Sequence, residues 1–199
     1  MSLEFQSKLN QLLVLGKKNG LFFSDWLKKK GYSDQLIRKY RQSGWLSSLD
    51  KGVMYRTGDK LSAIVSLSCY NEQLEKEVRI AAHSALELFG FNHYVPMGKP
   101  ILMVACSCSI VPKWMLKDCF DRTFKVFSTK MIEIPQTSKI NIEGVNLLVS
   151  SPEQAFMECL LLAKDQYNYM DLYYIMEQLT SLRADVVQIL LENIKNQRV

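Results

Sequence analysis

The stretch from Phe22 to Arg56, FFSDWLKKKGYSDQLIRKYRQSGWLSSLDKGVMYR, constrains the fold of this chain more than any other. It holds two short helical patterns in close succession. Ser24 suits the N-cap of the first, Trp26 and Leu27 supply its apolar face, and Gly31 ends it. Ser33 caps the second only two residues later, and Ser43-Gly44 closes it. A turn this tight between two short helices is the helix-turn-helix pattern. Two β-type runs follow, Trp45 to Leu49 and Val53 to Arg56, joined by Asp50-Lys51-Gly52, whose glycine suits a hairpin turn. Helix, turn, helix, hairpin is the order of a winged helix.

The second helix divides into faces. At about 100° per residue, Leu36, Ile37 and Tyr40 fall on one side. The opposite side centres on Gln35, Arg38 and Gln42, with Lys39, Arg41 and Asp34 on the flanks. Arg bonds guanine O6 and N7 in bidentate fashion, and Gln does the same to adenine N6 and N7, so these residues suit a major groove. Ser33 stands at the entry of that helix. Lys51 at the hairpin tip and Arg56 at the hairpin's end suit phosphate or the minor groove. Any exposed helix face carries such residues; the hairpin that follows is what favours nucleic acid.

The charge distribution agrees. Residues 1–60 hold 12 Lys and Arg against 5 Asp and Glu, net +7, whereas the other 139 hold 13 against 15, net −2. The basic excess lies where phosphate neutralisation requires it. Lys28-Lys29-Lys30 equally suits a solvated helix end, where cations complement the dipole. Apolar content of 48% and charged content of 23% are those of a globular protein. No run approaches the ~18 consecutive apolar residues of a membrane span, and the N-terminus lacks the order of a secretory signal, so the expected location is the cytoplasm without membrane association.

Five scattered cysteines do not make a disulfide framework. Cys106 and Cys108 lie in an apolar run, Ile101 to Val111, that reads as a buried strand with both thiols on one face. They are expected to behave as small buried hydrophobes rather than as metal ligands, since His83 and His93 are the only histidines. No metal and no cofactor is expected.

Before the motif, Phe5, Leu9, Leu12, Leu13 and Leu15 form an amphipathic helix ending near Gly16, which completes a three-helix core. Thr57-Gly58-Asp59-Lys60 is a polar break. It divides the chain into a winged helix-turn-helix domain, 1–60, and a second domain, 61–199. That second part is α+β, with strands first and helices last. Ser62 to Leu74 admits a strand or a helix. Short strands are expected at Val78–Ala81, in 101–111 and on both sides of Glu143-Gly144, and extended chain over most of Thr123–Ile134. Short helices are expected at Ser84–Gly90 and Lys113–Phe120. Ser151-Pro152-Glu153-Gln154 opens a strong helix, with Ser151 as N-cap, Pro152 in the first helical position and Gln154 closing a capping box. Met170–Leu179 and Ala184–Ile194 complete the chain as helices.

Catalytic motifs are missing from the sequence. It has no Gly-rich phosphate loop, no Gly-x-Ser-x-Gly elbow and no His-Glu-x-x-His helix. Asp118 and Asp121 read as a solvated helix end, and His83 as a cap or a satisfied histidine. Tyr167, Tyr169, Tyr173 and Tyr174 suit base stacking, although a stripe beside Met170 and Leu172 more often packs helices together. The chain is read as a non-enzyme.

Three blocks carry a family resemblance. The first comprises Asp25-Trp26-Leu27 through Tyr32-Ser33, Arg41 to Leu46, and Lys51 to Arg56. The second is SALELFGFNHYVPMG, Ser84 to Gly98, and the third VSSPEQAFME, Val149 to Glu158. Together, in this order, they resemble the AbiEi-type antitoxin and transcriptional regulator family of type IV toxin–antitoxin systems. The resemblance implies a repressor whose N-terminal domain binds repeats in double-stranded DNA of its own promoter. It also implies a C-terminal domain that counteracts a nucleotidyltransferase toxin without a stable complex. Members of the family usually continue past Gln197-Arg198-Val199 with further strands, so the chain is read either as a shortened relative or as one whose second domain is incomplete at its C-terminus. His93 and Tyr94, in the Phe91–Gly98 loop, are its first candidates for contact, although Phe91 and Tyr94 equally suit plugging the domain's end. The competing reading of the winged helix is a protein-interaction module indifferent to DNA.

Overall fold

The computed structural model describes residues 8–91, 98–106, 110–129, 132, 134–163 and 169–193. They form two compact units, Met1–Lys76 with Lys113–Asp121, and Glu77–Pro112 with Arg122–Val199. His93, Tyr94, Cys108, Tyr167 and Phe5 lie outside the described residues.

The first unit opens with α1 (Lys8–Leu15), β1 (Leu21–Phe23), α2 (Ser24–Lys29), α3 (Asp34–Gln42), β2 (Leu46–Asp50) and β3 (Val53–Arg56). Leu12, Phe22, Leu27, Tyr32, Ile37, Tyr40, Leu46 and Met54 are buried together, so each helix and the hairpin contribute to one core. Leu15 is exposed rather than part of that core. The turn between α2 and α3 is a complete Schellman motif: Tyr32 N donates to Leu27 O at 3.0 Å and Gly31 N to Lys28 O at 2.9 Å. Gly31 supplies the positive φ of +85° that this motif demands. α3 ends in the same way, with Trp45 N on Tyr40 O and Gly44 N on Arg41 O. β2 and β3 pair antiparallel with a bulge between Ser48 and Asp50.

Two local expectations change. Ser24 is the first residue of α2, not its cap; Phe23 holds the cap position without a side-chain bond. A third strand, β1, pairs antiparallel with β3 and gives the sheet order β1-β3-β2. Its three residues are too few to show a pattern in sequence.

The unit does not stop at the Thr57–Lys60 break. α4 (Ala63–Leu74) resolves the ambiguous segment as a helix, capped by Ser62, whose Oγ accepts from Val65 N at 3.3 Å. Among the described residues, the outer edge of β1 has no strand beside it. The side-chain amide of Gln73 takes that place, accepting from Phe23 N at 2.9 Å and donating to Leu21 O at 2.8 Å. Phe23, Tyr70, Trp114 and Phe120 then meet in tilted and edge-on pairs with ring centroids 5.5–6.0 Å apart. This aromatic cluster explains why Lys113–Asp121, far along the chain, belongs to the first unit. Lys113–Leu116 is one 3₁₀ turn, shorter than the expected helix.

The second unit contains β4 (Arg79–Ile80), α5 (Ala82–Leu88), β5 (Ile101–Cys106), β6 (Thr123–Ser128), β7 (Thr137–Ile142), β8 (Val145–Ser150), α6 (Pro152–Leu161), α7 (Tyr169–Gln178) and α8 (Ala184–Glu192). Its mixed sheet runs β6-β5-β4-β8-β7. The two-residue β4 is central, antiparallel to β5 and parallel to β8. Three helices, α6 to α8, follow the last described strand, in line with the α+β reading.

A buried polar network joins β4, α5, β8 and α6. Arg79 Nη2 meets Glu158 Oε1 at 2.8 Å, and Arg79 Nε donates to Ser150 Oγ at 3.0 Å. Gln154 Nε2 donates to Glu158 Oε1 at 2.7 Å, and Ala82 N to Glu158 Oε2 at 2.9 Å. The capping box is therefore only half formed. Ser151 Oγ accepts from Gln154 N at 3.3 Å, but the Gln154 side chain bonds Gln136 N, Ser150 and Glu158 instead of returning to Ser151 N. Ser151 N donates to Gln136 O at 2.8 Å. Cys106 is disulfide-bonded, which overturns its reading as a free thiol.

Candidate nucleic-acid interface

α3 owes its orientation to what it buries. Ile37 and Tyr40 sit in the core, so Gln35, Arg38, Lys39, Arg41 and Gln42 are turned outward. Gln35, Arg38 and Arg41 border a groove of about 510 Å³ between α3 and the hairpin, with Ile37 and Met54 as its floor. Lys51 borders it from the hairpin tip. Helix and hairpin residues thus meet around one surface. Lys39 and Gln42 are exposed on α3 but do not line the groove.

Two predicted residues are placed differently. Ser33 is exposed, yet its Oγ accepts from Leu36 N at 3.3 Å and serves as the N-cap. Arg56 is not brought to this surface. Its Nη2 donates to Leu13 O at 2.6 Å, in the last turn of α1. Carbonyls there lack an intrahelical donor, and a guanidinium satisfies them well.

The groove also holds two carboxylates, Asp34 and Asp50. Asp34 pairs with Lys28 at 3.0 Å, and Asp50 Oδ1 accepts from Lys51 N at 2.8 Å. Both have local reasons: Asp34 is in the first turn of α3, favourable to its dipole, and Asp50 opens a hairpin turn. The sequence pattern does not show that Asp50 borders the same groove as Arg41. The lysine run is spread over separate partners, Lys28 on Asp34, Lys29 on Glu75 at 3.5 Å, and Lys30 over the Trp26 ring at 5.9 Å. Such exposed pairs are worth about 0–1 kcal/mol each and leave the cations available to phosphate.

The other candidate residues take structural places. Asp121 Oδ1 accepts from Ala63 N at 2.7 Å, at the start of α4. His83 is the second residue of α5, and burial lowers its pKa while Glu87 opposes that shift. Among the described residues, no three of His, Cys, Asp and Glu gather in a metal-binding arrangement. No helix among them is long and apolar enough to cross a membrane.

A helix-turn-helix backed by an antiparallel hairpin, with a basic outward helix face, defines a winged-helix regulator. The family model described as "Transcriptional regulator, AbiEi antitoxin N-terminal domain" matches residues 5–97, and that described as "Transcriptional regulator, AbiEi antitoxin, Type IV TA system" matches 99–199. The chain belongs to the AbiEi antitoxin family of transcriptional regulators. No curated protein matches it.

Proposed function

We propose that this protein binds double-stranded DNA in its own promoter and represses its own operon. In this reading α3 enters the major groove, where Gln35, Arg38 and Gln42 read base edges and Lys39 and Arg41 contact the flanking phosphates. Lys51 reaches phosphate or the minor groove from the hairpin tip, and Ser33 fixes the helix entry. The observation that carries the reading is the convergence of Gln35, Arg38, Arg41 and Lys51 around one groove. Arg56 acts in it as a strut for the hairpin, not as a DNA contact.

The antitoxin role belongs to the chain after residue 60, and within it to the unit of 77–112 and 122–199. It counteracts a nucleotidyltransferase toxin encoded beside it, without a stable complex. The test of repression is a mobility shift of the gene's own upstream region, titrated with salt. Binding that weakens steeply with salt and exceeds binding to unrelated duplex supports the reading. Indifference to the upstream region overturns it.

A further inference from the structure

The groove beside α3 is not uniformly basic. Asp34 and Asp50 border it together with Arg38, Arg41 and Lys51. A surface that only tracks phosphate has no use for carboxylates, which the anionic backbone repels. Asp50 is accounted for by the hairpin turn, where its Oδ1 accepts from Lys51 N at 2.8 Å. Asp34 has the helix dipole in its favour, but it is not the cap. That role belongs to Ser33, whose Oγ accepts from Leu36 N, and among the described residues no backbone N–H donates to the Asp34 carboxylate.

Asp34 shares a stripe with the arginines. Asp34, Arg38 and Arg41 stand at i, i+4 and i+7 of one helix, and all three line the groove. An arginine at i+4 is a ready partner for an aspartate, yet Asp34 Oδ1 pairs instead with Lys28 of α2 at 3.0 Å. Among the described residues this leaves the Arg38 guanidinium uncommitted and the second Asp34 oxygen unbonded, with 76% of the Asp34 side chain exposed. A donor and an acceptor are thus presented side by side to whatever enters the groove.

Base chemistry selects the target of the acceptor. In the major groove the amino groups at cytosine N4 and adenine N6 are the donors. Adenine sets its N7 acceptor beside the amino group, an arrangement that suits an amide and repels a carboxylate. Cytosine presents its amino group without that acceptor, and the guanine paired with it offers O6 and N7 to an arginine. We propose that Asp34 is a base-reading residue that accepts from the N4 amino group of a cytosine in the bound DNA, with Arg38 beside it on the stripe. Lys28 positions the carboxylate from α2. The inference rests on the major-groove reading above and adds an acceptor to its donors.

The test is a base-preference profile. The full chain is titrated by fluorescence anisotropy against the gene's upstream duplex, and against duplexes in which each base pair of the nuclease-protected segment is replaced in turn by the other three. The unaltered protein is expected to lose about 5- to 100-fold in affinity when one C·G pair is replaced. Asp34→Ala should erase the preference at that position alone. Asp34→Asn should turn it toward A·T, because an amide accepts from N6 and donates to N7. Ratios between duplexes are taken within one variant, so any unfolded fraction cancels from them. If both variants bind every duplex more tightly by one common factor, the carboxylate acts on phosphate alone and the inference is overturned. A profile unchanged in both variants overturns it as well. If the unaltered chain shows no preference for the upstream duplex over unrelated DNA, the major-groove reading itself fails, and the inference with it.

Discussion

The backbone N–H of Ser24 donates to the carbonyl of Gly52 at 2.8 Å, clamping the hairpin tip to the first turn of α2. Gly52 has φ of +74°, and a Cβ placed there would lie 2.8 Å from Ser24 Oγ. Both residues border the groove beside α3. Gly52→Ala is therefore expected to destabilise the protein by about 1–3 kcal/mol, through strain and crowding together. Urea unfolding measures this. Ser24→Ala in the same chain should recover part of the loss, because it removes the hydroxyl and keeps the N–H. An unchanged urea midpoint for Gly52→Ala would refute the clamp.

Three arginine and lysine positions should separate by their signatures. Arg38→Ala is expected to cost about 1–3 kcal/mol on the preferred site and to relax base preference there. Lys51→Ala should weaken binding to all sequences and flatten the salt dependence by about one unit of log–log slope. Arg56→Ala should instead lower stability by about 1–2 kcal/mol, because Leu13 O loses its donor, and leave the salt slope unchanged. Fluorescence anisotropy across a salt series, with thermal unfolding alongside, distinguishes the three. A flattened slope for Arg56→Ala would return that residue to the interface.

How far the sequence speaks depends on whether the deciding interactions are local. Ser33, Gly31 and the Leu36–Ile37–Tyr40 stripe act within one turn, so the α2–α3 pair and the outward face of α3 are legible from the residues alone. Ser24 also looks like a cap, but its amide environment is set by Gly52, which no local pattern reveals. β1, the Gln73 edge contact and the recruitment of Lys113–Asp121 depend on partners about 30 to 90 residues away. Gln154 fits a capping box by spacing, yet the buried carboxylate of Glu158 competes for its side chain and wins. Arg56 is misplaced for a related reason: basic residues at hairpin ends suit phosphate, but α1 offers a nearer acceptor.

The Arg79–Glu158 pair is the main polar commitment of the second unit. Glu158 is wholly buried and its two oxygens serve Arg79, Gln154, Ser150 and Ala82 N. Ala82 itself sits at φ +48°, a left-handed conformation that costs a non-glycine residue energy. Glu158→Ala leaves a buried guanidinium and a buried amide without that acceptor, and is expected to cost about 3–5 kcal/mol. Adding Arg79→Met should recover part of the loss, since the stranded charge goes with it. A double-mutant cycle in thermal unfolding should show coupling of about 1–3 kcal/mol. Strict additivity would mean that the two side chains do not act as a unit.

Acid sensitivity should trace to Glu153. Its carboxyl is buried, which by itself raises its pKa, but the Arg183 guanidinium and backbone N–H, with help from Ser151, outweigh burial and hold it at about 2 against an ordinary 4.5. A pKa depressed on folding contributes stability that is complete above the unfolded value and is lost as pH falls through the folded one. The window is therefore pH 4.5 down to about 2. Because the Arg183 side chain is largely solvated, the contribution is expected to be about 1–2 kcal/mol rather than the full linkage value. Arg183→Ala removes the side-chain donor. It should lower stability at neutral pH and shift the acid loss of stability to higher pH, as the carboxyl returns toward its ordinary range. Urea midpoints from pH 7 to pH 2 for both proteins test this. If the two curves keep the same separation down to pH 2, Glu153 is not the group that titrates.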